Sequence, residues 1–138
     1  MWGADIVVGH GTVFRPAELP GFLAEDGVEV VGVLTYARPS PDTLEVVTID
    51  ALRRHEGIGS ALLDAAVTVA TELGARQVVL TTTNDNVDAI RFYQRRGFRL
   101  TALRPGVLTE SRLLKPRIPL IGAYGIPLTD ELDLARAL

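Results

Sequence analysis

The hydrophobic positions of this chain change period near residue 57. Ahead of that point, short β-branched runs are punctuated by turn residues. Ile6-Val7-Val8 and Thr12-Val13-Phe14 flank the turn Gly9-His10-Gly11, and Pro16, Pro20 and Gly21 mark a loop before Phe22-Leu23-Ala24. Val28 to Ala37 is a β-branched run bounded by Asp26-Gly27 and by Pro39 and Pro41, which predicts a strand; Leu44 to Ile49 predicts the next. Together these pieces read as an antiparallel meander of increasing strand length.

From Gly57 to Leu73 the apolar positions Ile58, Leu62, Ala65/Ala66, Val69 and Leu73 recur at helical spacing, and Gly74 stands where a helix-ending glycine belongs. Gln77 to Thr82 predicts a strand. Val87 to Arg96 predicts a second helix, with Asn86 or a neighbour as its N-cap and Gly97 at its end, and Phe98 to Leu103 a further strand. In the tail, Val107 to Leu114 predicts a short helix stopped by Pro116, and Pro119 to Ile126 is turn-rich. Leu128 to Ala135 fits a terminal strand or a helix. With no repeat, low-complexity segment or linker, the expectation is a single domain over residues 1–138, β-rich first and α/β afterwards.

Composition narrows the functions open to such a domain. Hydrophobic residues make up 47% and charged residues 22% of 138, enough to fill one core. A net charge of -3 gives no reason to expect nucleic acid or an anionic membrane surface as partner. The absence of cysteine excludes disulfides, thiolate metal sites and a cysteine-bound intermediate. No His/Asp/Glu group has metal-ligand spacing, so no metal is expected. Met1-Trp2-Gly3-Ala4-Asp5 lacks the basic opening of a signal peptide, no apolar run is long enough to span a membrane, and a cytoplasmic protein is expected.

The chemistry begins at Arg53-Arg54-His55-Glu56-Gly57-Ile58-Gly59-Ser60-Ala61-Leu62-Leu63, which runs from a strand into the first long helix. Glycines at a helix start let the backbone approach a ligand and turn unpaired N–H groups outward, beside the positive end of the helix dipole. That suits a phosphate or pyrophosphate; a tight structural turn is the competing reading. A Walker loop is excluded because Ser60-Ala61 follows Gly59, and a dinucleotide fingerprint because Leu62 stands where its last small residue belongs. What remains, Arg54-x-x-Gly57-x-Gly59, resembles the Q/R-x-x-G-x-G/A motif of GNAT-superfamily acyltransferases. Ile49-Asp50-Ala51 stands where that family often has Val-x-Pro.

Farther along lies Asn86-Val87-Asp88-Ala89-Ile90-Arg91-Phe92-Tyr93-Gln94-Arg95-Arg96-Gly97-Phe98. By itself it reads as a helix with a small residue, Ala89, and a tyrosine, Tyr93, on one face, either in a core or beside a ligand. Asn-x-x-Ala-x-x-x-Tyr followed by Gly-Phe also resembles the second GNAT signature, in the proper order after the first. The resemblance spans Val28 to about Leu103.

The resemblance implies a mixed α/β fold, a mostly antiparallel twisted sheet flanked by helices. It implies an acetyltransferase that moves the acetyl group of acetyl-CoA directly to an amine in a ternary complex. Arg54, His55, Glu56, Gly57, Ile58, Gly59 and Ser60 then hold the coenzyme pyrophosphate. Ile49 at its strand end, with Asn86 and Ala89, belongs to the same coenzyme site, Asn86 toward the pantetheine region. Tyr93 lies near the sulfur as the acid that protonates the departing thiolate; a phenol, with a reference pKa of about 10, still carries its proton at neutral pH. Splaying of the strands that end at Ile49 and Thr82 would offer the thioester carbonyl a backbone N–H.

Glu45, on the strand leading to the loop, is either the general base or a surface or structural glutamate. His10 reads as structural and His55 as solvated. Arg91, Arg95, Arg96 and Arg99 form a basic cluster read as a solvated face, with a contact to the 3′-phosphate left unassigned. GNAT domains usually begin with a strand and two helices that shape the acceptor site, and here only some 20 residues precede Phe22. A shortened N-terminus and completion as a homodimer are therefore expected. The competing functions are a non-catalytic acyl-CoA sensor and a ligand-free structural domain.

Overall fold

A computed structural model describes residues 7–51 and 57–138. Its elements follow the hydrophobic periods in chain order: β1 (Val7–Gly9), β2 (Thr12–Phe14), a 3-10 turn (Pro16–Glu18), β3 (Gly21–Asp26), β4 (Glu29–Ser40) and β5 (Thr43–Ala51) come first. Then come α1 (Ile58–Glu72), β6 (Gln77–Thr83), α2 (Val87–Arg95), β7 (Arg99–Arg104), α3 (Val107–Leu114), a 3-10 turn (Ala123–Gly125) and β8 (Glu131–Ala137). Strands β1 and β2 form a sheet of their own, and the other six hydrogen-bond in the order β3-β4-β5-β6-β8-β7. The fold is the expected mixed α/β arrangement, with β3/β4, β4/β5 and β7/β8 all antiparallel.

Two compact units divide the described residues: one takes those within Arg15–Val79 and Ala137–Leu138, the other residues 7–14 and Leu80–Arg136. The first is an apolar assembly. β3, β4 and β5 form a meander in which Phe22 faces Leu34 and Leu34 faces Ile49 across the ladders. Val31, Leu34, Leu44, Val46 and Val78 are buried with Leu62, Leu63, Ala66 and Ala70 of α1. Each large side chain so buried contributes about 1.5–3 kcal/mol. Gly32 makes this packing possible, since a Cβ there would fall 2.6 Å from Ile58 Cγ2 and 3.2 Å from the Asp50 carbonyl. Gly74, at φ 78°, ends the helix region as its sequence position predicts.

The second unit contains the β1–β2 hairpin, so the opening strands are not part of the meander. The turn between them accounts for this: His10 and Gly11 both have positive φ, which closes a tight two-stranded hairpin. The tail, open between strand and helix in the sequence, is a strand from Glu131. It pairs with β7 so that Leu134 faces Leu100 and Leu132 faces Leu103. Leu80, Tyr93, Phe98, Leu108, Leu128 and Leu134 are the buried apolar residues of this unit.

Candidate active site

The first half of the candidate site begins α1. Arg54, His55 and Glu56 lie outside the described residues. Gly57 is the N-cap at φ 72° and ψ 10°, and no described side chain caps the helix. A Cβ at Gly57 would meet nothing within 4 Å, so space there is open, while its left-handed φ strains any residue but glycine. Ile58, Gly59 and Ser60 are half-buried in the first turn. A helix start on an exposed glycine is the shape a diphosphate needs in order to reach backbone N–H groups. On β5, Ile49 is half-buried opposite Leu34. Glu45 is only 6% exposed and faces Ala37 across the ladder, so it is not a surface glutamate.

The second half begins α2. Asn86 occupies the N-cap position, yet its side chain caps nothing: Nδ2 donates to Thr82 Oγ1 at 3.2 Å. Ala89 is half-buried on the helix. Tyr93 is 7% exposed and packs edge-on to Phe92 at 5.4 Å and tilted against Phe98 at 5.8 Å. Ala89 and Tyr93, four residues apart, share one face of α2, and Asn86 precedes it at the N-cap. Arg96 lies over the Phe92 ring at 3.8 Å and donates to the Phe92 carbonyl, so this member of the basic cluster packs against the helix. Arg91, Gln94 and Arg95 remain exposed and line a groove with Val87 and Ile90.

The acetyltransferase (GNAT) family model matches residues 6–98, which contain both signatures and both helix starts. The chain belongs to the GNAT acetyltransferase family. The Bacillus subtilis protein YxbD, itself uncharacterized, is 37% identical over 99% of this chain and 86% of its own length. Among solved structures, an Elizabethkingia anophelis GNAT acetyltransferase with acetyl-CoA bound is 25% identical and superposes with a TM-score of 0.75, over 84% of this chain and 74% of that one. A Bacillus subtilis acetyltransferase in complex with CoA is 28% identical with a TM-score of 0.73, over the same shares.

This GNAT chain also contains a charged network that sequence patterns do not disclose. Asp133 on β8 receives both terminal nitrogens of Arg104, each at 2.6 Å, and the Thr81 hydroxyl at 2.7 Å. Arg104 Nε donates at 3.2 Å to Glu131, which is 2% exposed and also accepts the His10 backbone N–H at 3.1 Å. Hydrogen bonding by Arg104 holds the Asp133 carboxyl below the ordinary aspartate range, against the opposing pull of burial, and Asp133 in turn raises the guanidinium. His10 thereby has a structural part: its φ of 42° aims its N–H at Glu131, and its ring packs edge-on to Phe14. The available signal was only the alternation Glu131-x-Asp133 on a strand, too short to name its partner.

A second set surrounds the start of α2. Asn84 Oδ1 accepts the N–H groups of Thr129 and Asp130, and its Nδ2 donates to the Pro127 carbonyl. Asp85 accepts the Thr83 hydroxyl and the Ala123 N–H. Among the described residues no group of three His, Cys, Asp or Glu is arranged to hold a metal ion, and no helix is long and apolar enough to cross a membrane.

Proposed function

We propose that this GNAT domain transfers an acetyl group from acetyl-CoA directly to an amine acceptor. The observation that carries the reading is the start of α1, where Gly57 is left-handed, exposed and uncapped by any described side chain, inside the first family signature. The backbone N–H groups of Gly57 to Ser60, with Arg54, His55 and Glu56 ahead of them, hold the coenzyme pyrophosphate. Asn86 binds the pantetheine arm, Ala89 leaves room for it, and Ile49 contributes from the end of β5. The acetyl-CoA neighbours supply the analogy for the donor.

Acetyl-CoA supplies an activated thioester acyl group. The protein's part is to orient it, to receive the amine in its neutral form and to return a proton to the sulfur. Tyr93 is the proposed acid. Its side chain is almost fully buried beside the rings of Phe92 and Phe98, and a positioned proton donor contributes about 10²–10⁴-fold. Glu45, buried on β5, is the proposed base that drains the amine proton. The exposed apolar residues Leu100 and Leu103 on the edge strand β7 support a homodimer, which sedimentation would measure, and a cytoplasmic setting is proposed with it.

The test is thiol release from acetyl-CoA across a panel of amines, alongside calorimetric titration with CoA. Tyr93→Phe is expected to lower turnover about 10²-fold with CoA affinity kept. Unchanged turnover removes Tyr93 from the acid role. Gly59→Val is expected to weaken CoA binding about tenfold by blocking backbone approach; wild-type affinity would sink the loop assignment. CoA binding without thiol release for any amine would favour the sensor.

A further inference from the structure

The start of α2 forgoes its usual stabilisation. A side-chain N-cap contributes about 1 kcal/mol, and Asn86 and Asp85 are both suited to give it. Neither does: no side chain caps α2. Asn86 turns its amide to Thr82 Oγ1, while Asp85, 9% exposed, spreads its carboxylate between two segments. One oxygen accepts the Thr83 hydroxyl on the chain entering the turn, and the other accepts the Ala123 N–H at 2.9 Å from the segment ahead of β8. Gly122 is required by this latch, because a Cβ there would overlap Asp85 Oδ2. Two residues after Gly122, Tyr124 takes a left-handed φ of 58° and donates its hydroxyl to Asp88 Oδ2 at 2.7 Å.

Asp85 and Asp88, which flank Asn86, are thus tied to Ala123 and Tyr124. The turn itself is tight: Asn86 N donates to the Thr83 carbonyl at 3.1 Å and Val87 N to the Asp85 carbonyl at 2.9 Å. Moving the Asp85 carboxylate would move the backbone from Thr83 to Val87, and the Asn86 side chain with it. We propose that Asp85 is a positioning residue that sets Asn86 for the pantetheine arm of the coenzyme. This inference rests on the coenzyme reading of the site and deepens it: arm affinity is governed by a residue that does not touch the coenzyme.

Two probes separate this role from plain structural support. CoA carries the pantetheine arm; adenosine 3′,5′-bisphosphate lacks it. Calorimetric titrations are made well below the melting temperature of each variant. Asp85→Ala is expected to weaken CoA about tenfold and to leave the bisphosphate within about twofold. Asp85→Asn restores CoA affinity, since its oxygen accepts from Ala123 N–H and its NH2 donates to Thr83 Oγ1. Should Asp85→Ala fail to fold, Thr83→Val, which removes one of the two donors, is expected to show the same selectivity at about threefold. Equal weakening of both ligands, or wild-type CoA affinity in a folded variant, overturns the inference while leaving the coenzyme reading intact. A wild-type protein that does not bind CoA overturns both.

Discussion

At Gly57, α1 opens on a residue with no side chain; at Asn86, α2 opens among Asp85, Asn86 and Asp88, each committed to another segment. The same contrast holds between the two units. The first is held by apolar burial, with Leu34, Leu44, Leu63, Ala66, Ala70 and Val78 almost fully enclosed. In the second, side chains reach across to backbone or to opposite charge: Arg104 to Asp133 and Glu131, Arg112 to three carbonyls, Arg136 to the Arg96 carbonyl, Asn84 to Thr129 and Asp130. Apolar contacts are non-directional and tolerate drift, whereas hydrogen bonds fix angle as well as distance. The polar unit is therefore the one suited to setting a side chain such as Asn86 in a single orientation.

The largest effect is expected where the apolar unit is broken. Leu34→Ala removes a side chain with no exposure and should cost about 2–5 kcal/mol in denaturant unfolding. A smaller loss would mean that the meander relaxes around the gap. Arg104→Ala should cost about 2–3 kcal/mol, at the low end for a pair left half-made because the guanidinium is partly exposed. Besides losing the Asp133 pairing it leaves Glu131, 2% exposed, without its cation, so the double variant Arg104→Ala/Glu131→Gln should be more stable than Arg104→Ala alone.

A pH titration sharpens the contrast further. The folded Asp133 carboxyl lies below its unfolded value of about 3.9. Its stabilisation is accordingly complete above that value and is lost as pH falls through the folded one. The stability difference between wild type and Asp133→Asn should be flat from neutrality down to about pH 5 and shrink below about pH 4. A difference that grows on acidification would reverse the assigned sign. The smallest effect belongs to Arg76→Ala, which removes an exposed ion pair with Asp42 at 3.7 Å and should change stability by less than about 0.5 kcal/mol.

These two kinds of cohesion also explain what the sequence disclosed. Burial of Leu62 and Ala66, with Val69 half-buried, writes a helical period into α1, and β-branched runs write β4 and β5, so these strands, the helix and the glycine start were legible. The placement of Ala89 and Tyr93 on one face of α2 was legible through spacing, whereas Asn86 stood out only through resemblance to the family signature. Leu128 to Ala135 was not, because β8 is specified by its ladder with β7 and by Glu131 and Asp133 meeting Arg104, a partner 27 and 29 residues away. The Asp85–Gly122 latch was silent for the same reason: Asn84-Asp85-Asn86 looks like any polar turn until the distant glycine is placed against it.

Arg112 gives the segment after α3 a property that its irregular backbone conceals. Its guanidinium is shared among the carbonyls of Ile118 at 3.2 Å, Pro119 at 2.7 Å and Leu128 at 2.6 Å. The chain just past Arg117 is thus pinned, with the Ile118 N–H also donating to the Lys115 carbonyl, and Lys115 itself precedes a proline. Trypsin must wait for this stretch to open before it can cut, so nicking after Arg117 becomes a clock for local opening, one that Arg112→Lys would speed by trading a fork for a single point of attachment.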